Sequence, residues 1–188
     1  MPGCSLALLV PRAEMQVLLR RVLGKLTGVP PQSLQFETAV QGKPYLTGNN
    51  PIAFNLSHSR RHSLIALSLG GDIGCDIEDR FRENDDVDEL AAVILHPVER
   101  QEMKLLSGSQ QQEAFKRYWV RKEAVLKAAG SGFLKDPRVV VVGLDRVQPT
   151  WDGAVGPAMN IHEKQLAADC FAAVASGDAA CSWHLLAA

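Results

Sequence analysis

Between Ile52 and Glu78 the chain reads IAFNLSH, SLIALSL and IGCDIE, three short runs rich in apolar residues. Only SRRH separates the first two, and a Gly70-Gly71-Asp72 turn separates the second from the third. Parallel neighbours need a long crossover, so strands joined by turns this short pair in antiparallel fashion. The segment therefore reads as a three-stranded meander over 52–58, 63–69 and 73–78, which rules out an all-helical fold.

The flanking sequence alternates between the two periods. SLALLV (5–10) is a strand candidate, and 13–28 carries Met15, Leu18, Leu19, Val22, Leu23 and Leu26 at helical spacing before Gly28 and two prolines. A strand is expected at 33–40 and a loop at 42–51. Helices are expected at 87–95, at 97–106 behind Pro97, and at 111–130, the longest. VVVVGL (139–144), 170–176 and 181–187 read as antiparallel strands. Each half thus runs strand, helix, strands. The fold class is α+β, a pseudo-twofold pair of halves, 1–72 and 73–188, with antiparallel sheets and a long helix in each. No linker separates them, so they should pack as one unit with a site between them.

Composition narrows the function classes. With 46% hydrophobic and 22% charged residues among 188, the chain can bury a sizeable core. A net charge of -1 argues against a nucleic-acid partner. Cys4, Cys75, Cys170 and Cys181 form no CxxC pair and read as reduced thiols. The opening MPGCSLALLVPR has no basic leader and no apolar run is long enough for a bilayer, so a cytoplasmic, non-membrane protein is expected.

Four pieces carry chemistry. In GCDIEDR (74–80), Asp76 and Glu78 lie two apart on a strand and project together, while Ile73, Cys75 and Ile77 face a core. Two such carboxylates repel unless a cation sits between them, and hard oxygen donors suit Mg²⁺. Read alone, the pair is better described as a solvated strand face. In WVRKEAVLKAAG (119–130), Glu123 and Lys127 form an i, i+4 pair, yet Arg121 and Lys122 put charge on other faces. Charge all round a helix suits one that crosses a site. In FNLSHS (54–59), alternation sends His58 inward with Phe54 and Leu56, beside Ser57 and Ser59. In QGKPYL (41–46), Gly and Pro restrain the loop that presents Lys43.

GKPYL, FNLSHS, GCDIED and WVRKEAVLKAAGSG occur in that order over residues 41–132. Together they resemble the signatures of the Sfp-type 4′-phosphopantetheinyl transferases. The resemblance implies an enzyme that moves 4′-phosphopantetheine from coenzyme A, its substrate, to a serine of an apo acyl or peptidyl carrier protein, releasing adenosine 3′,5′-bisphosphate. It implies Mg²⁺, with Mn²⁺ as a substitute, held by Asp76, Glu78 and Glu123. Glu123 is also implied as the base, Lys127 as a phosphate contact and Lys122 as its assistant. His58 would contact the diphosphate region, Ser57 would be a further coenzyme A contact, and Lys43 and Pro44 would sit near the adenosine end. Glu99 would take a minor role. Longer members grip the 3′-phosphate with a basic N-terminal stretch; here Arg12 is the replacement candidate, ahead of Arg20 and Arg21. Arg80, Phe81 and Arg82 are candidates for a carrier-docking edge. Internal pseudo-symmetry suits a monomer.

Two rival readings share these residues. Metal-dependent nucleases and phosphodiesterases also use Asp, Glu and Lys, but commonly place E-x-K on a strand. A non-catalytic carrier-binding module would not need all three carboxylates and Lys127.

Overall fold

A computed structural model describes residues 4–48, 51–79, 87–130, 136–153 and 156–186. The elements are β1 (Cys4–Pro11), α1 (Met15–Thr27), β2 (Phe36–Thr38), β3 (Pro44–Leu46), β4 (Ala53–His58), β5 (His62–Ser68), β6 (Ile73–Glu78), α2 (Val87–Ile94), α3 (Pro97–Met103), α4 (Ser109–Ala128), β7 (Val140–Val141), β8 (Thr150–Trp151), β9 (Asn160–Ala167), β10 (Cys170–Ser176) and β11 (Ala180–Leu185). The α+β class holds, with a long helix on each of two principal sheets.

One sheet has the order β11-β1-β5-β4 and the other β6-β10-β9. Period-2 alternation gives each sheet two faces, and each face has a partner. Ala7, Leu9, Leu64 and Ala66 of the first sheet meet Ile73, Cys75, Ile77, Ala172 and Val174 of the second. On its outer face the first sheet packs Leu8, Val10, Ile65 and Leu67 with Leu19 and Leu23 of α1. The outer face of the second carries Phe171, Ala173 and Ala175 against Phe115, Val120 and Ala124 of α4. Four layers result: α1, sheet, sheet, α4.

Helix ends follow local chemistry. The first ends at Gly28, whose φ of 72° suits a residue without a Cβ, and its N–H bonds the Gly24 carbonyl. In α3, Pro97 opens the helix while His96 and Glu99 form a capping box.

Four expectations about the strands need correction. The meander breaks after its second strand: β5 pairs with β4 and β1, whereas β6 pairs with β10. The cause is burial on both faces of β6, against the first sheet through Ile73, Cys75 and Ile77 and against α4 through the alternate positions. The last strand is parallel, not antiparallel: β11 runs beside β1 in the first sheet. The chain passes from the first sheet to the second between β5 and β6, and the final strand returns to the first. The stretch at 42–51 is not all loop, since Pro44–Leu46 pairs with Phe36–Thr38, and the strand expected at 139–144 shrinks to two residues.

Among the described residues no helix is long and apolar enough to cross a membrane. All four cysteines are free thiols.

Candidate functional site

The site begins with a missing side chain. A Cβ on Gly74 would lie 2.1 Å from the Ala124 carbonyl oxygen and 2.2 Å from the Ala128 nitrogen. Only glycine lets α4 lie this close on β6. The next residue on that face of the strand is Asp76, and on the helix Glu123 directly precedes Ala124.

Lys127 joins these acids. Its Nζ donates to Asp76 Oδ1 at 2.6 Å and lies 3.9 Å from Glu123 Oε2. The Ser57 hydroxyl donates to the same Asp76 Oδ1 at 2.7 Å. Asp76 Oδ2 is buried and has no hydrogen-bond partner among the described residues. Glu78, two positions on, accepts from the Trp119 indole N–H at 3.2 Å.

Electrostatics follow from this crowding. Burial, and then the charge of Asp76, raise the Glu78 carboxyl to about 7 against the opposing indole hydrogen bond and Lys127. Burial and Asp76 likewise raise Glu123 to about 7, with Lys127 opposing. For Lys127, burial is outweighed by its acidic neighbours, and its ammonium titrates above its usual range. Among the described residues Lys127 alone lies within ion-pair distance of these acids, and it reaches two of the three, so positive charge falls short of the carboxylates.

That imbalance fits a hard divalent cation, as do the all-oxygen donors and the orphaned Asp76 Oδ2. Among the described residues, however, no three metal-ligating side chains stand as a ready-made coordination cluster. Asp76 and Glu123 are bridged by a lysine instead.

Two adjoining clefts open beside these residues. One, of about 230 Å³, is lined by Gly42, Lys43, Pro44, Asn55, Glu123 and Lys127. The other, of about 280 Å³, shares Lys43 and Pro44 and adds Tyr45, Phe54 and Asp72. Lys43 reaches across the halves: its Nζ donates to the Ile73 carbonyl at 2.8 Å and the Lys127 carbonyl at 3.3 Å. Burial lowers its ammonium below the usual range against the pull of Asp72.

The FNLSHS strand faces β6 with its polar residues. Asn55 Oδ1 accepts the Cys75 N–H at 2.9 Å, and Ser57 holds Asp76. Ser59 Oγ donates to Asp79 Oδ2 at 2.9 Å. Asp79 also accepts the Arg60 and Arg61 backbone N–H groups, which outweigh its desolvation and keep its carboxyl below the usual range. Asp79, which sequence reasoning misses, thus pins the β4–β5 turn. Its signal is its place directly after the DIE triplet.

Several expected residues sit elsewhere. His58 does not turn inward; it is exposed at the end of β4, while Asn55 and Ser57 are buried. Lys122 is turned away from the acids: it is 1% exposed, 2.7 Å from Glu99 Oε2, and donates to the Pro137 and Val140 carbonyls. Glu99 in turn accepts the Val142 and His96 N–H groups, so the pair is a buried structural node. Arg12 is exposed and donates to the Ser59 carbonyl at 3.3 Å, at the same end of the sheet as His58. Arg20 is committed to the Pro31 and Leu34 carbonyls and stacks over Phe36. Arg80, Phe81 and Arg82 lie outside the described residues.

The model of the 4′-phosphopantetheinyl transferase superfamily matches residues 72–183, a span that contains Asp76, Glu78, Glu123 and Lys127. The chain belongs to the 4′-phosphopantetheinyl transferase superfamily. It is 34% identical to 4′-phosphopantetheinyl transferase HetI of a Nostoc species over 163 residues, 84% of this chain and 67% of that protein. It is 40% identical to 4′-phosphopantetheinyl transferase AcpT of Salmonella typhimurium over 115 residues, covering 61% of this chain and 56% of that protein. Identity to a Bacillus subtilis 4′-phosphopantetheinyl transferase is 30% over 116 residues, 62% of this chain and 50% of that protein. The chain thus spans about half to two thirds of the length of these relatives.

Proposed function

We propose that this member of the phosphopantetheinyl transferase superfamily transfers 4′-phosphopantetheine from coenzyme A to a serine of an acyl or peptidyl carrier protein, with Mg²⁺, leaving adenosine 3′,5′-bisphosphate. The observation that carries the reading is the approach of α4 to β6 at Gly74, which sets Glu123 and Lys127 against Asp76 beside the GKP cleft. The similarity to HetI and AcpT, both 4′-phosphopantetheinyl transferases, agrees with it.

Asp76, Glu78 and Glu123 would hold the Mg²⁺. When bound, it would supply positive charge to the diphosphate. The clefts beside Lys43 and Pro44 would take the nucleotide, with the Lys43 ammonium fixed by two carbonyls at their wall. Arg12 and the exposed His58, near the end of β4, would meet phosphate oxygens. Lys127 is placed to balance charge on the phosphate that reacts, as a compact ammonium with three donors.

In the transfer the serine oxygen forms a bond to the phosphorus that bears pantetheine. The bond from that phosphorus to the bridging oxygen breaks, and its electron pair departs with adenosine 3′,5′-bisphosphate. The serine proton passes to a Glu123 oxygen.

Incubating the protein with coenzyme A, Mg²⁺ and a panel of apo carrier proteins, then weighing the carriers, tests the reading. A mass gain of one phosphopantetheine on a carrier serine is expected. A folded protein that modifies no carrier and binds no coenzyme A overturns it.

A further inference from the structure

The family resemblance offers Ser57 of the FNLSHS strand to coenzyme A, but its hydroxyl is engaged elsewhere. We infer that Ser57 is a positioning residue, whose hydroxyl fixes the Asp76 carboxylate so that Oδ2 is the oxygen left for a cation. The inference rests on the Mg²⁺-dependent reading above and concerns the same site.

A serine hydroxyl has one proton to donate. Here that proton goes to Asp76 Oδ1 at 2.7 Å, and both groups are buried. Lys127 Nζ occupies the same oxygen at 2.6 Å. With two donors on Oδ1 the carboxylate plane is set. Oδ2 is left buried and without a hydrogen-bond partner among the described residues, an arrangement that costs free energy unless something fills it.

Ser57 is itself held. Its strand is fixed to β6 on either side, by Asn55 Oδ1 on the Cys75 N–H and by Ser59 Oγ on Asp79. These bonds join the edge strands of two different sheets, β4 of one and β6 of the other. The hydroxyl therefore transmits the register of one half to an acid of the other. Lys127 alone cannot do this, because its ammonium sits on a flexible stem and is shared with Glu123.

Ser57→Ala and Ser57→Thr separate the two roles. Calorimetric Mg²⁺ titration, with no coenzyme A present, should show affinity reduced about 10-fold in Ser57→Ala and largely restored in Ser57→Thr. The Mg²⁺ needed for half-maximal transfer should rise in parallel. At saturating Mg²⁺ the KM for coenzyme A should stay within about twofold of wild type, because the substrate contacts are untouched. Wild-type Mg²⁺ affinity in Ser57→Ala overturns the inference, as does a raised KM for coenzyme A with unchanged Mg²⁺ dependence. In either of those cases a wild-type protein that binds Mg²⁺ and modifies carriers leaves the transferase reading standing. A wild-type protein that does neither removes that reading, and this inference with it.

Discussion

In the proposed reaction Glu123 would carry two roles on one carboxylate, a share in holding the cation and acceptance of the serine proton. Glu123→Gln keeps the shape and loses both. Transfer of labelled phosphopantetheine should fall at least ~10²-fold, and near-normal turnover would remove Glu123 from either role. Its titration gives a second test. Glu78 and Glu123 rise from 4.5 to about 7 on folding, chiefly through burial and the charge of Asp76. Between those values the folded chain binds protons that the unfolded chain has released, so stability falls as pH rises through the window. The metal-free thermal midpoint, taken relative to a Glu78→Gln/Glu123→Gln variant, should drop from pH 4.5 to about 7. Cation binding needs ionised carboxylates, so the midpoint gain on adding Mg²⁺ should grow across the same range. A relative midpoint that climbs, or an Mg²⁺ response that is flat, contradicts this. Asp76, Glu78, Glu123 and Lys127 are legible in the sequence because period 2 and i, i+4 spacing fix which side chains share a face. The inward side of β4 is not. Alternation from Phe54 points His58 inward, but the face toward β6 is lined by Asn55, Ser57 and Ser59, polar residues that look solvent-facing until their partners are known.

At the scale of elements, α4 reaches the candidate site with only one of several paired cations, whose partners lie in different directions. Arg117 and Arg121 meet Glu163 on β9, Lys122 meets Glu99, and Lys127 meets Asp76. Around a helix these are different directions, and sequence alone could not say which lay over β6. Charge all round the helix suggests a site, yet only one of those directions leads to it. Lys122→Met should cost ~3–5 kcal/mol by leaving Glu99 buried without its cation, while turnover per folded molecule stays near wild type. Urea unfolding and transfer assays together check this; a stable variant with lost turnover would restore Lys122 to the chemistry. Gly74→Ala tests the contact itself. The added methyl meets helix backbone rather than a flexible side chain, so α4 must shift at a cost of about 1–3 kcal/mol, with transfer reduced. An unchanged unfolding midpoint would show that the close approach is not needed. The strand β9 escapes sequence reading for a related reason. Its run NIHEKQLA lies at the sheet edge with exposed polar positions, and its charges mask the alternation.

For the whole molecule, the two-sheet sandwich places the acids where halves meet. One half supplies Ser57 and Lys43; the other supplies Asp76, Glu78, Glu123 and Lys127. The paired-half architecture can be read from the strand–helix–strand order. The exchange of β11 into the first sheet cannot, because parallel pairing of chain ends rests on contacts between residues as distant as Cys4 and Ala180. Neither can the placement of β6 in the second sheet, since a glycine turn serves a hairpin and a crossing between sheets equally well. The central claim is that this meeting of halves closes three carboxylates on one divalent ion. Crystals grown with Mn²⁺ and coenzyme A, measured for anomalous scattering, test it most directly. A single strong peak touching Asp76, Glu78 and Glu123 is the expected result. A bound coenzyme A with no peak there, or with Lys127 still bridging Asp76 and Glu123 in its place, would contradict it.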